Sequence, residues 1–138
     1  MPMRSIVFAA LLLTFASAAR ADEYDEIVNN CNFANAEFGA VAIQICIKDN
    51  QAARAAVLQY PDNVKHIVAR CVRGRELGWS MVKLCVDKDI EAEAALANYA
   101  TEHDALIKEC AMEFGFRGAA RIKACVDQAI ETARSPRN

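Results

Sequence analysis

Cys71-Val72-Arg73-Gly74-Arg75-Glu76-Leu77-Gly78-Trp79-Ser80-Met81-Val82-Lys83-Leu84-Cys85 decides the fold of this chain. Gly78 stands seven residues from each of the two cysteines. A related stretch runs from Cys31 to Cys46 with Gly39 near its middle. As one straight helix it would hold its two cysteine Cα atoms ~22 Å apart, far beyond the roughly 4.4–6.8 Å that a disulfide spans. A glycine turn resolves the conflict by folding the halves into antiparallel helices, with each cysteine ~10–12 Å from the turn and at matching height.

The same unit recurs. The cysteines are Cys31, Cys46, Cys71, Cys85, Cys110 and Cys125, separated by 15, 25, 14, 25 and 15 residues, which is a repeat of 39 to 40. Ile27-Val28, Ile67-Val68 and Leu106-Ile107 precede the first cysteine of each pair at one spacing. Ile43, Val82 and Ile122 precede the second, which Ile47, Val86 and Val126 follow. Glu37-Phe38-Gly39 and Glu76-Leu77-Gly78 mark two turns, with Glu113-Phe114-Gly115 as the nearest match in the third unit, where the turn falls at Gly115, at Gly118 or across both. Self-similarity at this period is the mark of a repeat architecture.

Apolar residues at i, i+3, i+4 and i+7 on both sides of each glycine predict helices; Ile122, Cys125, Val126, Ala129, Ile130 and Ala133 share one face of the last. The expected fold is therefore all-α. Three disulfide-stapled helical hairpins, about six helices, form a short array or bundle with repeats near residues 22–60, 61–99 and 100–138. The expected bridges are Cys31–Cys46, Cys71–Cys85 and Cys110–Cys125, each closing a loop worth roughly 3 kcal/mol in the chain-entropy model. Pro61 is expected to end a helix. Thr101 is expected to cap the next, with Asp104 three residues on. The second joint has no proline, which leaves room for helices four and five to run together with a kink. The layout is similar to that of cysteine-rich helical-repeat proteins and twin-cysteine helical hairpins, but the former space cysteines more tightly and the latter use two bridges per hairpin, so no residue role is carried over.

Residues 1–21 form a different segment. Arg4, an apolar run from Ser5 to Phe15 and small residues from Ala16 to Ala21 follow the order of a secretory signal peptide. The apolar core is too short to span a bilayer, which takes ~20 residues. Cleavage is expected after Ala21, with Ala18 and Ala19 as alternatives. Losing Arg4 and Arg20 leaves 14 basic against 18 acidic side chains, a net charge of −4. A mildly acidic exported domain, periplasmic or secreted, is not a nucleic-acid binder, and no later apolar stretch calls for a membrane.

Chemistry-bearing constellations are scarce, and no catalytic residue or cofactor is expected. Past residue 21 the only serines are Ser80 and Ser135. Ser80 could use only His66 or His103 as a base, and no Gly-x-Ser-x-Gly elbow supports it. No Cys-x-x-Cys offers a zinc or thioredoxin-like site, so metal binding would require free thiols. Asp87 and Asp127 recur two residues after a cysteine and read as a surface residue or a partner between hairpins, not as catalytic acids; Tyr60 and Tyr99 recur at the joints. Aromatic and basic residues gather near the turns. If the turns stack on one edge, Trp79 and Phe116 would anchor, and Arg73, Arg75, Arg117 and Arg121 would contact, an acidic protein partner. The expected function is a non-enzymatic interaction module, with an inhibitor or immunity-type protein against a secreted or cell-wall enzyme as the alternative.

Overall fold

The computed structural model describes residues 22–99 and 101–135. The signal-like segment and its cleavage sites lie outside the described residues, which hold six α-helices and no strand. These are α1 (22–35), α2 (Ala40–Val57), α3 (Lys65–Cys71), α4 (Trp79–Ala97), α5 (Asp104–Phe114) and α6 (Ala119–Arg134). Consecutive pairs form three hairpins, each closed by the expected disulfide. The Cα–Cα separations are 5.7 Å for Cys31–Cys46, 5.8 Å for Cys71–Cys85 and 5.9 Å for Cys110–Cys125.

Every hairpin turns in the same way: a short 3₁₀ segment (Ala36–Phe38, Val72–Leu77 or Gly115–Arg117) leads to one glycine, and the second helix starts at the next residue. Gly78 and Gly118 have φ of +97° and +96° with extended ψ, a region that side-chain-bearing residues reach only under strain. Gly115, by contrast, is helical at φ −54°. The third turn is thus at Gly118, and Phe116-Arg117-Gly118 is the counterpart of Glu37-Phe38-Gly39, correcting the alignment through Glu113-Phe114-Gly115.

The joints also depart from expectation. α2 stops at Val57, and Pro61 is extended at φ −67° and ψ 160°. At the second joint α4 and α5 are separate. The Asn98 side chain donates to the Ala94 carbonyl at 2.8 Å, and the backbone leaves the helix there. Hydrogen bonding to its own preceding turn lets asparagine end a helix without proline. Thr101 lies in a 3₁₀ turn, Thr101–His103, and does not cap α5, whose first residue follows His103 without a side-chain cap.

α4 is the central element, packing on α2, α3 and α6, while α6 packs on α5 and α4. The sequential order α2–α4–α6 makes an open array. Val82, Val86 and Asp89 line the buried face of α4 at helical spacing, and Ile67 of α3 and Val126 of α6 are fully buried. Ile27, Cys31, Val57, Ile67, Trp79, Val82 and Val86 belong to one continuous core across the first two hairpins. Full burial of each such aliphatic side chain contributes roughly 1.5–3 kcal/mol.

Two polar contacts recur between hairpins. Asn50, four residues after Cys46, accepts the Ser80 backbone N–H at 3.1 Å and donates to the Cys46 carbonyl at 3.0 Å. Asp89, four residues after Cys85, accepts the Ala120 N–H at 2.8 Å and pairs with Arg70. Each side chain thereby caps the second helix of the next hairpin, whose first N–H groups have no partner inside that helix. Further along, the Tyr60 hydroxyl donates to Asp87 and the Tyr99 hydroxyl to Asp127, beside Lys83 and Lys123. The start of α4 meets α2 eleven residues beyond Gly39, and α6 meets α4 eleven residues beyond Gly78. Successive turns are therefore stepped by about 16 Å along the preceding helix rather than flush.

Candidate functional site

The stepped turns carry most of the residues singled out above, but not as one surface. Arg73 is exposed at the second turn, and Arg75 beside it lies 3.6 Å from Glu26 of α1. At the third turn Phe116 is 72% exposed, with the Arg117 guanidinium 5.2 Å from its ring centre and Arg121 exposed on the next helical turn. Trp79 does not join them. Only 6% exposed, it lies in the core beneath Arg54, whose guanidinium is 5.7 Å from the ring and pairs with Glu23. As the first residue of α4, Trp79 points into the seam with α2, so the sequence expectation of a tryptophan anchor is corrected: the ring is spent on packing. Leu77 and Phe38, the residues just before their glycines, are exposed instead.

Ser80 is held apart from the groups that could serve it as a base. His66 faces Glu93 at 3.4 Å. Glu93 lies thirteen residues, about 20 Å, along α4 from Ser80. His103 sits against Tyr99 and Glu102 at the second joint. All six cysteine sulfurs are in disulfides. Cys71, Cys85 and Asp89 place ligand-type atoms within 4.8 Å of one another, but the sulfurs are bonded together and the carboxylate is taken by Ala120 and Arg70. A thiolate metal site would require reduction first.

Electrostatic perturbation concentrates on the tyrosine–aspartate contacts. Desolvation, then the hydrogen bond to Asp87 and its charge, push the Tyr60 hydroxyl up to about 12. Partial burial pushes Asp87 up, yet hydrogen bonds from Lys83 and Tyr60 and the charge of Lys83 bring it below the ordinary carboxylate value. The hydrogen bond to Asp127, followed by burial, raises Tyr99, and Lys123 with Tyr99 lowers Asp127. The same pattern in two seams marks these contacts as fastenings between repeats.

Two open cavities flank the third hairpin. One of about 580 Å³ lies at the second joint among Tyr99, His103, Asp127, Glu131 and Arg134. The other, about 610 Å³, runs along α6 between Phe114 and Ala124, Ala129, Thr132 and Ala133. Sequence reasoning missed Asn50 and Asp89, although both lie four residues after a second cysteine. Their two residue types differ, and the third unit has Ala129 at that position, so the repeat signal was broken. Comparison with protein-family models, curated proteins and solved structures finds no match for this chain.

Proposed function

We propose that the chain is an exported, non-enzymatic helical-repeat protein that binds an acidic protein partner through its stepped turns. The observation that carries this reading is the third turn. Phe116 stands in solvent beneath Arg117, with Arg121 exposed in the first turn of α6, on a hairpin closed by Cys110–Cys125. An exposed aromatic flanked by arginines is the composition of an interface hot spot, and a stapled hairpin lowers the ordering cost of binding. Arg73 and Arg75 extend the basic character to the second turn. The separation of Ser80 from both histidine sites supports a binding role over acyl-transfer chemistry.

Three disulfides call for an oxidising environment. The signal-like order of residues 1–21 supports delivery to the periplasm or beyond, with a mature start at Asp22. Inhibition of a secreted or cell-wall enzyme is the special case in which the partner is an enzyme and the rigid turn occupies its cleft.

Capture from the exported fraction of the native cell tests the reading, with wild-type protein, Arg73→Glu and Arg117→Glu as parallel baits. The expected result is at least a tenfold loss of one specific partner on Arg117→Glu, with Arg73→Glu reporting whether the second turn takes part. An identical partner set on all three baits would overturn it. Enzyme activity measured on a captured partner, with and without the protein, identifies the inhibitor case.

A further inference from the structure

The two ends of the array differ from its internal seams in a complementary way. In both seams a polar side chain on the seat, Asn50 or Asp89, meets a small residue two positions after the next glycine, Ser80 or Ala120. At the free end of hairpin three the seat position holds Ala129. At the free end of hairpin one the residue two positions after Gly39 is Val41. The large and small partners have changed sides, and both have become apolar.

The surroundings match this exchange. In the α4–α6 seam the seated face of α6 is Ala120, Lys123, Ala124 and Asp127, lying along Lys88, Glu91, Ala92 and Ala95 of α4. The corresponding face of α2 is Val41, Gln44, Ile45 and Lys48, all exposed, with Val41 at 72% and Ile45 at 56%. The corresponding seat on α6 is the 610 Å³ groove containing Gln128, Ala129 and Thr132, positions equivalent to Asp49, Asn50 and Ala53 of α2. Ala53 is buried where α4 covers it.

We propose that the occupant of this groove is a second copy of the chain, whose α2 start inserts Val41 and Ile45 against Ala129 and so continues the α2–α4–α6 stack across molecules. A large apolar residue over alanine fills the space that Asn50 over Ser80 fills internally, and close-packed seams tolerate such volume-conserving exchanges. The contact is heterologous, each copy using a different face, so it builds a ring or an open array and not a two-fold dimer. Without the internal cap and tyrosine latch it is weaker than a seam within the chain. Of the partner-binding residues its groove includes only Arg121, while its decisive contacts, Val41 and Ala129, lie outside that surface, so a monomeric protein that still loses its partner on Arg117→Glu would separate the two readings.

Sedimentation velocity over a concentration series tests this on protein recovered after export, with its N-terminus read by mass spectrometry. Wild type is expected to rise from the monomer mass to at least double it. Val41→Glu and Ala129→Glu, each at an accessible helix position, are each expected to remain monomeric. An equimolar mixture of the two is expected to form a dimer and nothing larger, because one variant keeps an intact seat and the other an intact insert. That recovery also shows that both variants are folded. A monomeric wild type throughout would overturn the proposal, as would variants that still self-associate or a mixture that stays monomeric.

Discussion

Replacing the three turn glycines by alanine, one at a time, separates two reasons for glycine that are usually inseparable. Gly39, Gly78 and Gly118 all have positive φ, so each Gly→Ala variant bears the backbone strain of that region, roughly 1–3 kcal/mol. At Gly39 nothing lies within 4 Å of the added Cβ, and strain is the whole effect. At Gly78 the methyl group would stand 2.8 Å from the Asn50 side-chain oxygen. It displaces the group that caps Ser80, which adds about 1 kcal/mol for a lost cap. At Gly118 it would meet the Asp89 carboxylate and lie 2.8 Å from two nitrogens of Arg70. That forces apart a buried ion pair, and breaking such a pair by removing one partner costs about 3–5 kcal/mol. The expected order of destabilisation is Gly39→Ala, then Gly78→Ala, then Gly118→Ala, spanning about 3 kcal/mol or more between the first and the last. Urea unfolding of the oxidised proteins, followed by far-ultraviolet circular dichroism, measures it. Equal losses in all three variants would refute close approach between hairpins as the reason for glycine at the second and third turns.

Two further perturbations probe the same seams. Asp89→Ala removes both the cap on α6 and the partner of Arg70, whereas Asp89→Asn can keep the cap and lose only the charge; the unfolding free energy from urea titration is expected to fall further for alanine, by about 1 kcal/mol or more. Tyr60→Phe tests the latch through pH. The folded state raises the Tyr60 hydroxyl to about 12, so its contribution is fully present below the ordinary value of 10.0 and is lost as pH rises through 12. Wild type is therefore expected to lose stability more steeply than Tyr60→Phe between pH 10 and 12, and parallel curves would show that the hydroxyl contributes nothing. Asp87 runs the other way: its lowered value gives stability above the ordinary carboxylate range that disappears in acid.

Much of this architecture was legible because it rests on local arithmetic. Helix rise, disulfide reach and the glycine between paired cysteines leave one economical pairing, and the structure has it. Asp87 and Asp127 were legible as a recurring acid, on the surface or between hairpins, and Tyr60 and Tyr99 as a recurring pair, but joining tyrosine to aspartate required knowing which helix lies on which. Trp79 was misread for the same reason. Its position next to a turn glycine suggested exposure, whereas the second turn is laid against the middle of α2, which buries the first residue of α4 beneath Arg54.

The sequence by itself determined the all-α class, the three hairpins and their staples, because these depend on spacings within about 15 residues. Only the tertiary structure decided the eleven-residue step between hairpins, the caps from Asn50 and Asp89, and which turn residues remain in solvent. Those follow from side chains about 30 residues apart finding unsatisfied N–H groups at the start of a neighbouring helix, a match of shape and hydrogen bonding that no periodicity in the chain encodes.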